Sequence, residues 1–75
     1  MNKLEQAENR QKLNWTELVA LYNRLDHEQR VEFRNKLTKL IKQPIFPQQI
    51  ESYLSNLSGD ELERMLVYTK LLLLS

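Results

Sequence analysis

The sequence predicts an all-α fold, a small four-helix domain of two short–long helical hairpins joined at a Pro-bracketed turn. Three observations point there. The 75 residues include one Gly and two Pro, so little interrupts a helix, and the β-branched residues that favour strands are few. Apolar residues recur at spacings of three and four along most of the chain, the period of a helix with one buried face. Asn14 and Glu17, Asp26 and Gln29, and Ser58 and Glu61 each stand three residues apart, the spacing at which a capping side chain and a Glu or Gln satisfy each other's backbone N–H groups.

The first helix is expected over about 15–25, with Asn14 as its cap and Leu13 stapled to Leu18. Trp15, Leu18, Val19, Tyr22 and Leu25 lay one apolar stripe along it. Asp26 and Gln29 open a second helix, over about 27–42, which turns Phe33, Leu37, Leu40 and Ile41 inward within a ~100° arc. Lys39 and Lys42 suit the negative end of its dipole, and Glu32 and Lys36 are an i,i+4 pair in the favoured order. Pro44 and Pro47 bracket Ile45 and Phe46 and stop the helix, because proline lacks the N–H donor and restricts the residue before it. Pro47 then suits the first turn of a short third helix, about 47–56, carrying Ile50, Tyr53, Leu54 and Leu57. Ser58 and Glu61 cap the last helix, about 59–74, with Leu57 and Leu62 at the staple positions. Residues 1–12 hold only Leu4 and Ala7 as apolar side chains. They read as an N-terminal extension, partly helical or a tail, before a single helical domain at 13–75, and no strand is expected.

Composition narrows the function classes. Hydrophobic residues make up 41% and charged residues 28%, the balance of a globular domain. Without cysteine there is no disulfide, thiolate metal site or cysteine nucleophile. His27 is the lone imidazole, and its place just after a cap, beside Glu28 and a turn before Glu32, is a surface position. Asp60, Glu61 and Glu63 cluster where a helix N-terminus prefers carboxylates, so their grouping needs no catalytic explanation. No Gly-rich phosphate loop or nucleophile elbow occurs. No catalytic, cofactor-binding or metal-binding residue is therefore expected, and no enzyme. The densest apolar run, Leu62 to Leu74, contains Lys70 and falls short of the ~20 residues of a membrane helix. The first residues carry no secretory-type apolar run. Membrane association is not expected, and the cytoplasm is the expected compartment.

Eleven Lys and Arg against ten Asp and Glu leave a net charge of +1, which by itself calls for no nucleic acid. The charge is uneven, however. Residues 1–42 carry nine basic against six acidic residues, and residues 43–75 two against four. A phosphate-facing patch of Arg34, Lys36, Lys39 and Lys42 on the second helix is the alternative functional reading, a helical nucleic-acid-binding regulator. Those four spread over more than ~180° of the helix, interleaved with Glu32, and so make no stripe. Gln48 and Gln49 on the third helix could read bases, but that helix has no Lys or Arg to hold phosphates.

The last helix is the anomaly. Leu62, Met65, Leu66, Leu72 and Leu73 form the expected core face, while Val67, Tyr68, Leu71 and Leu74 point to the other side, where polar residues belong. Either this helix is central in the fold or its second flank meets another chain. The favoured function is a small non-enzymatic protein–protein interaction module (an adaptor, inhibitor or regulator) acting through Val67, Tyr68, Leu71 and Leu74. Its expected partners are a protein, unidentified by sequence, and a second copy of itself in a homodimer.

Overall fold

A computed structural model describes the backbone of residues 3–74 and the side chains of residues 12–74. The helices are α1 (Lys3–Arg24), α2 (His27–Ile41), α3 (Ile50–Ser55, entered through a 3-10 turn at Pro47–Gln49) and α4 (Gly59–Leu74). No strand occurs among the described residues. The all-α, four-helix class follows the helical periodicity of the sequence.

The start of α1 differs from the expectation. The helix runs unbroken from Lys3 through Asn14, so Asn14 is an interior residue and the box with Glu17 does not form. Lys, Leu, Glu, Gln, Ala and Arg dominate residues 3–13. These are strong helix formers, and extending an existing helix is easier than nucleating a new one at an internal cap. Glu17 instead accepts an ion pair from Lys70 Nζ of α4 at 3.2 Å. The first hairpin thus joins a 22-residue helix to one of 15 residues. Leu4 and Ala7, the apolar side chains of the expected extension, lie outside the described side chains.

The other two capping boxes form. Asp26 Oδ1 accepts from the Gln29 amide at 2.8 Å, and Gln29 Oε1 accepts from the Asp26 amide at 2.9 Å. Ser58 Oγ accepts from the Glu61 amide at 3.3 Å, and Glu61 Oε1 from the Ser58 amide at 3.0 Å. Each box satisfies N–H groups that a helix start leaves orphaned. Gln29 does more, because its Nε2 donates to the Leu72 carbonyl near the end of α4 at 3.0 Å. One amide side chain therefore closes the start of α2 and holds the end of α4, which fixes the two helices antiparallel.

α4 packs along both α1 and α2, and α3 packs on α1. The buried core joins Leu18, Tyr22 and Leu25 from the first hairpin arm, Phe33 and Leu37 from α2, and Ile50, Leu54 and Leu57 around α3. α4 supplies Leu62, Met65, Leu66 and Leu72. The rings of Tyr22 and Phe33 meet at 5.0 Å with a 58° tilt, which ties α1 to α2. The Arg30 guanidinium lies 5.1 Å from the Tyr22 ring centroid and donates from Nη2 to the Asn23 carbonyl at 3.2 Å. A cation there meets both the aromatic face and the negative end of α1. Trp15, Val19, Leu40, Ile41, Tyr53 and Leu73, all expected inside, are half-buried around this core. Thr69 completes the inner stripe of α4, fully buried, with its hydroxyl donating to the Met65 carbonyl at 2.6 Å. That internal bond lets a polar side chain sit where only apolar ones were expected.

α2 ends at Lys42, whose backbone takes the left-handed conformation (φ 57°, ψ 38°) while its N–H donates to the Thr38 carbonyl at 2.8 Å. The chain then crosses the proline joint, where the Tyr53 hydroxyl donates to the Pro44 carbonyl at 3.2 Å and anchors the joint to α3.

Two stability effects are expected in urea unfolding. Phe33→Ala, which empties a fully buried site, should cost about 3–5 kcal/mol and leave the domain largely unfolded. Lys42→Gly should stabilise by roughly 0.5–1 kcal/mol, because glycine adopts the left-handed conformation without the Cβ clash.

Candidate protein-interaction face

The residues of α4 divide by helix angle into two faces with opposite fates. Leu62, Met65, Leu66, Thr69 and Leu72 are buried. Val67, Leu71 and Leu74 lie on the opposite arc, a turn or so apart, and remain 60%, 57% and 83% exposed. Of the two alternatives for α4, the central position is seen, since α4 packs along both α1 and α2, and its outer flank is exposed as well. Tyr68 departs from the other three. It is half-buried, packed against the core and covered on its ring by Lys36 Nζ at 5.6 Å.

α2 supplies the second wall. Lys36 and Leu40 of α2 and Val67, Tyr68 and Leu71 of α4 line an open groove of about 490 Å³, closed at one end by Asp60, Glu63 and Arg64. Leu40 was read from sequence as core, but its half-buried position makes it a groove wall. The signal for this lay in its spacing, since Lys36 and Leu40 are four residues apart and share a face of α2. Glu63 was read only as a partner of the helix dipole, and here it also borders the apolar floor. Leu74 extends the same α4 flank beyond the groove.

The expected ion pair between Glu32 and Lys36 does not form; the Lys36 ammonium leans over Tyr68 instead. The ring offers it an aromatic face, and the lysine stem covers apolar surface that Glu32 would leave wet. At the far end of the groove Arg64 Nη2 pairs with Asp60 Oδ2 at 3.3 Å, an exposed i,i+4 contact of little energetic weight.

The four residues of the alternative phosphate patch disperse. Lys36 turns to the groove, and Lys39 is exposed on α2. Arg34 is half-buried, and Lys42 forms the C-terminal cap. A second, shallower groove of about 380 Å³ lies between α1 and α3, lined by Trp15, Thr16, Val19, Ala20, Asn23 and Ser55. Its lining is mostly small or polar, and it lacks the exposed large side chains of the α4 flank. His27 is exposed, and among the described residues no group of three His, Cys, Asp or Glu could hold a metal ion. Nor is any described helix long and apolar enough to cross a membrane. No family model, curated protein or solved structure matches the chain.

The two faces of α4 differ enough to be separated by adjacent substitutions. Leu71→Glu should change unfolding free energy by no more than about 1 kcal/mol, as expected of a surface site. Leu72→Glu, which buries a carboxylate beneath α2, should unfold the domain. Circular dichroism melts of the two variants check this contrast.

Proposed function

We propose that this chain is a small, non-enzymatic protein–protein interaction module, an adaptor, inhibitor or regulator, that docks the α4 flank and its groove with α2 on an apolar surface of a partner. The observation that carries this reading is the exposure of Val67, Leu71 and Leu74 on a helix whose inner stripe is fully buried. Isolated exposed leucines are ordinary, whereas large apolar side chains aligned on one helix face beside a groove mark a surface meant to be covered. The geometry suits a helix laid lengthwise, with anchors presented at i, i+4 and i+7. Polar rim groups are supplied by Lys36, Glu63 and Arg64, the arrangement of an apolar centre with a charged margin. We take the module to act in the cytoplasm, where a domain without cysteine folds independently of any oxidising machinery.

Affinity capture from cells of the native host tests the reading through variants rather than through capture alone. Proteins bound by the wild-type chain should be lost with Val67→Glu and retained with Ala20→Glu, which places the same charge in the α1–α3 groove. Retention of every bound protein by Val67→Glu overturns the assignment of this face.

A further inference from the structure

The reading of the α4 flank as a docking face leaves its occupant open, and the carboxylates at its two ends narrow the choice. We propose that the occupant is a basic amphipathic helix of another protein, with two large apolar side chains four positions apart and a Lys or Arg about one turn outside each. This rests on the docking face and adds the chemistry of what covers it.

The seam between α2 and α4 continues past Leu71. Glu32 lies one turn before Lys36 on the same face of α2, and with Leu72 it lines a hollow of about 260 Å³ that also takes in Asp26 and Glu28. Asp60 and Glu63 stand at the opposite end. The two linings together hold five carboxylates and two cations, in a chain whose net charge is +1. Both cations are engaged within the chain, Lys36 over the Tyr68 ring and Arg64 with Asp60. Lys39, also exposed on α2, lines neither. Among the described residues Glu32 and Glu63 take part in no ion pair. Asp26 and Glu28 belong to the start of α2, where the helix dipole favours carboxylates, so the docking charge falls to Glu32 and Glu63.

Between these two carboxylates lie Val67 and Leu71, apolar and exposed. Glu32 is level with Leu72, nine positions beyond Glu63 on α4, about 14 Å at 1.5 Å per residue. A helix laid along the seam covers that distance in nine or ten positions. Apolar side chains at i and i+4 of such a helix match the spacing of Val67 and Leu71. Cations at i−3 and i+7, about 15 Å apart, then reach the two carboxylate ends. All four positions share one helix face. A second copy is the poorer fit, because the same flank laid on itself in either direction sets carboxylate ends against carboxylate ends.

Fluorescence anisotropy with labelled helical peptides of about 18 residues tests this on the full chain. One peptide carries Leu at i and i+4 with Lys at i−3 and i+7; a second replaces both Lys with Glu. The wild type should bind the Lys peptide about tenfold or more tightly than the Glu peptide at low salt, an advantage that shrinks as salt screens the rim charges. Glu32→Lys and Glu63→Lys should each weaken Lys-peptide binding by about threefold or more, whereas Glu51→Lys, the same charge change on α3, should not. Val67→Ser should weaken it too. Melts of each variant establish that it is folded. Equal binding of the two peptides overturns the basic partner and leaves the apolar docking face standing. A preference that Glu51→Lys reduces as much as the rim reversals do is general charge attraction and overturns the proposal, as does binding indifferent to Val67→Ser. No binding of the Lys peptide also overturns it; a wild-type dimer in sedimentation that Leu71→Glu dissociates then makes a second copy the occupant. Failure of the docking face itself is read separately, from the Val67→Glu capture.

Discussion

The fold is organised by one constraint: α4 is apolar around most of its circumference, and the helices of the described residues do not surround it. α1 and α2 both pack along α4, while α3, only six residues long, reaches α1. Two flanking helices cover the inner stripe from Leu62 to Leu72 completely and leave the outer arc open. The placement of the other elements follows from serving that inner stripe. Tyr22 and Phe33 meet at a tilt between α1 and α2 beside it, and the proline joint carries the chain into α3, where Leu54 and Leu57 join the core.

Because a domain of this size buries only roughly 60% of the surface its unfolded chain exposes, the polar connections between helices matter more than in a larger protein. Gln29 illustrates the point. Its three hydrogen bonds span the α2 capping box and the last turn of α4. The side chain is fixed at one end by the box, so the bond to Leu72 costs little additional ordering. Arg30, the next residue, does the equivalent at the end of α1 through Asn23 and Tyr22. The opening turn of α2 is therefore the point at which three helices are held in register, and the 43-residue separation between Gln29 and Leu72 makes it a tertiary clasp built from a local capping motif.

What could be read from the sequence was whatever depends on neighbours within a turn or two. The Asp26 and Ser58 boxes involve residues three apart, and the stripes of Phe33 with Leu37 and of Leu62 with Leu66 repeat with the helix period. Asn14 and Glu17 show how this reasoning fails. The same local motif is present, but good helix formers precede it, and Glu17 finds a partner 53 positions away in Lys70. Lys36 is the same lesson at the candidate site. Its helix neighbour Glu32 was visible in sequence, whereas the Tyr68 ring that takes it depends on how α2 lies on α4. Thr69 was missed because its hydroxyl looks polar in a hydropathy pattern, although the Met65 carbonyl satisfies it within one turn. The outer flank of α4 was legible because it is a property of one helix; its groove with Leu40 was not, since that requires two.

The exposed flank also links stability to association. Covering a large apolar side chain is worth about 1.5–3 kcal/mol, and small domains are stable by only about 5–15 kcal/mol in all. Even partial coverage of Val67, Leu71 and Leu74 is therefore a sizeable fraction of the folding free energy. Whatever binds the folded flank and not the unfolded chain stabilises the fold by mass action, more so as its concentration rises. Burying these side chains internally would need either another helix or polar substitutions. Polar substitutions would cost the fold little, because the core does not use this arc. Keeping the arc apolar gives the isolated domain little and exposes it to non-specific contact, which is the reason we propose a bound state that covers it. That asymmetry, a core built on the inner stripe with large apolar side chains aligned outside it, is the physical basis of the proposed interface.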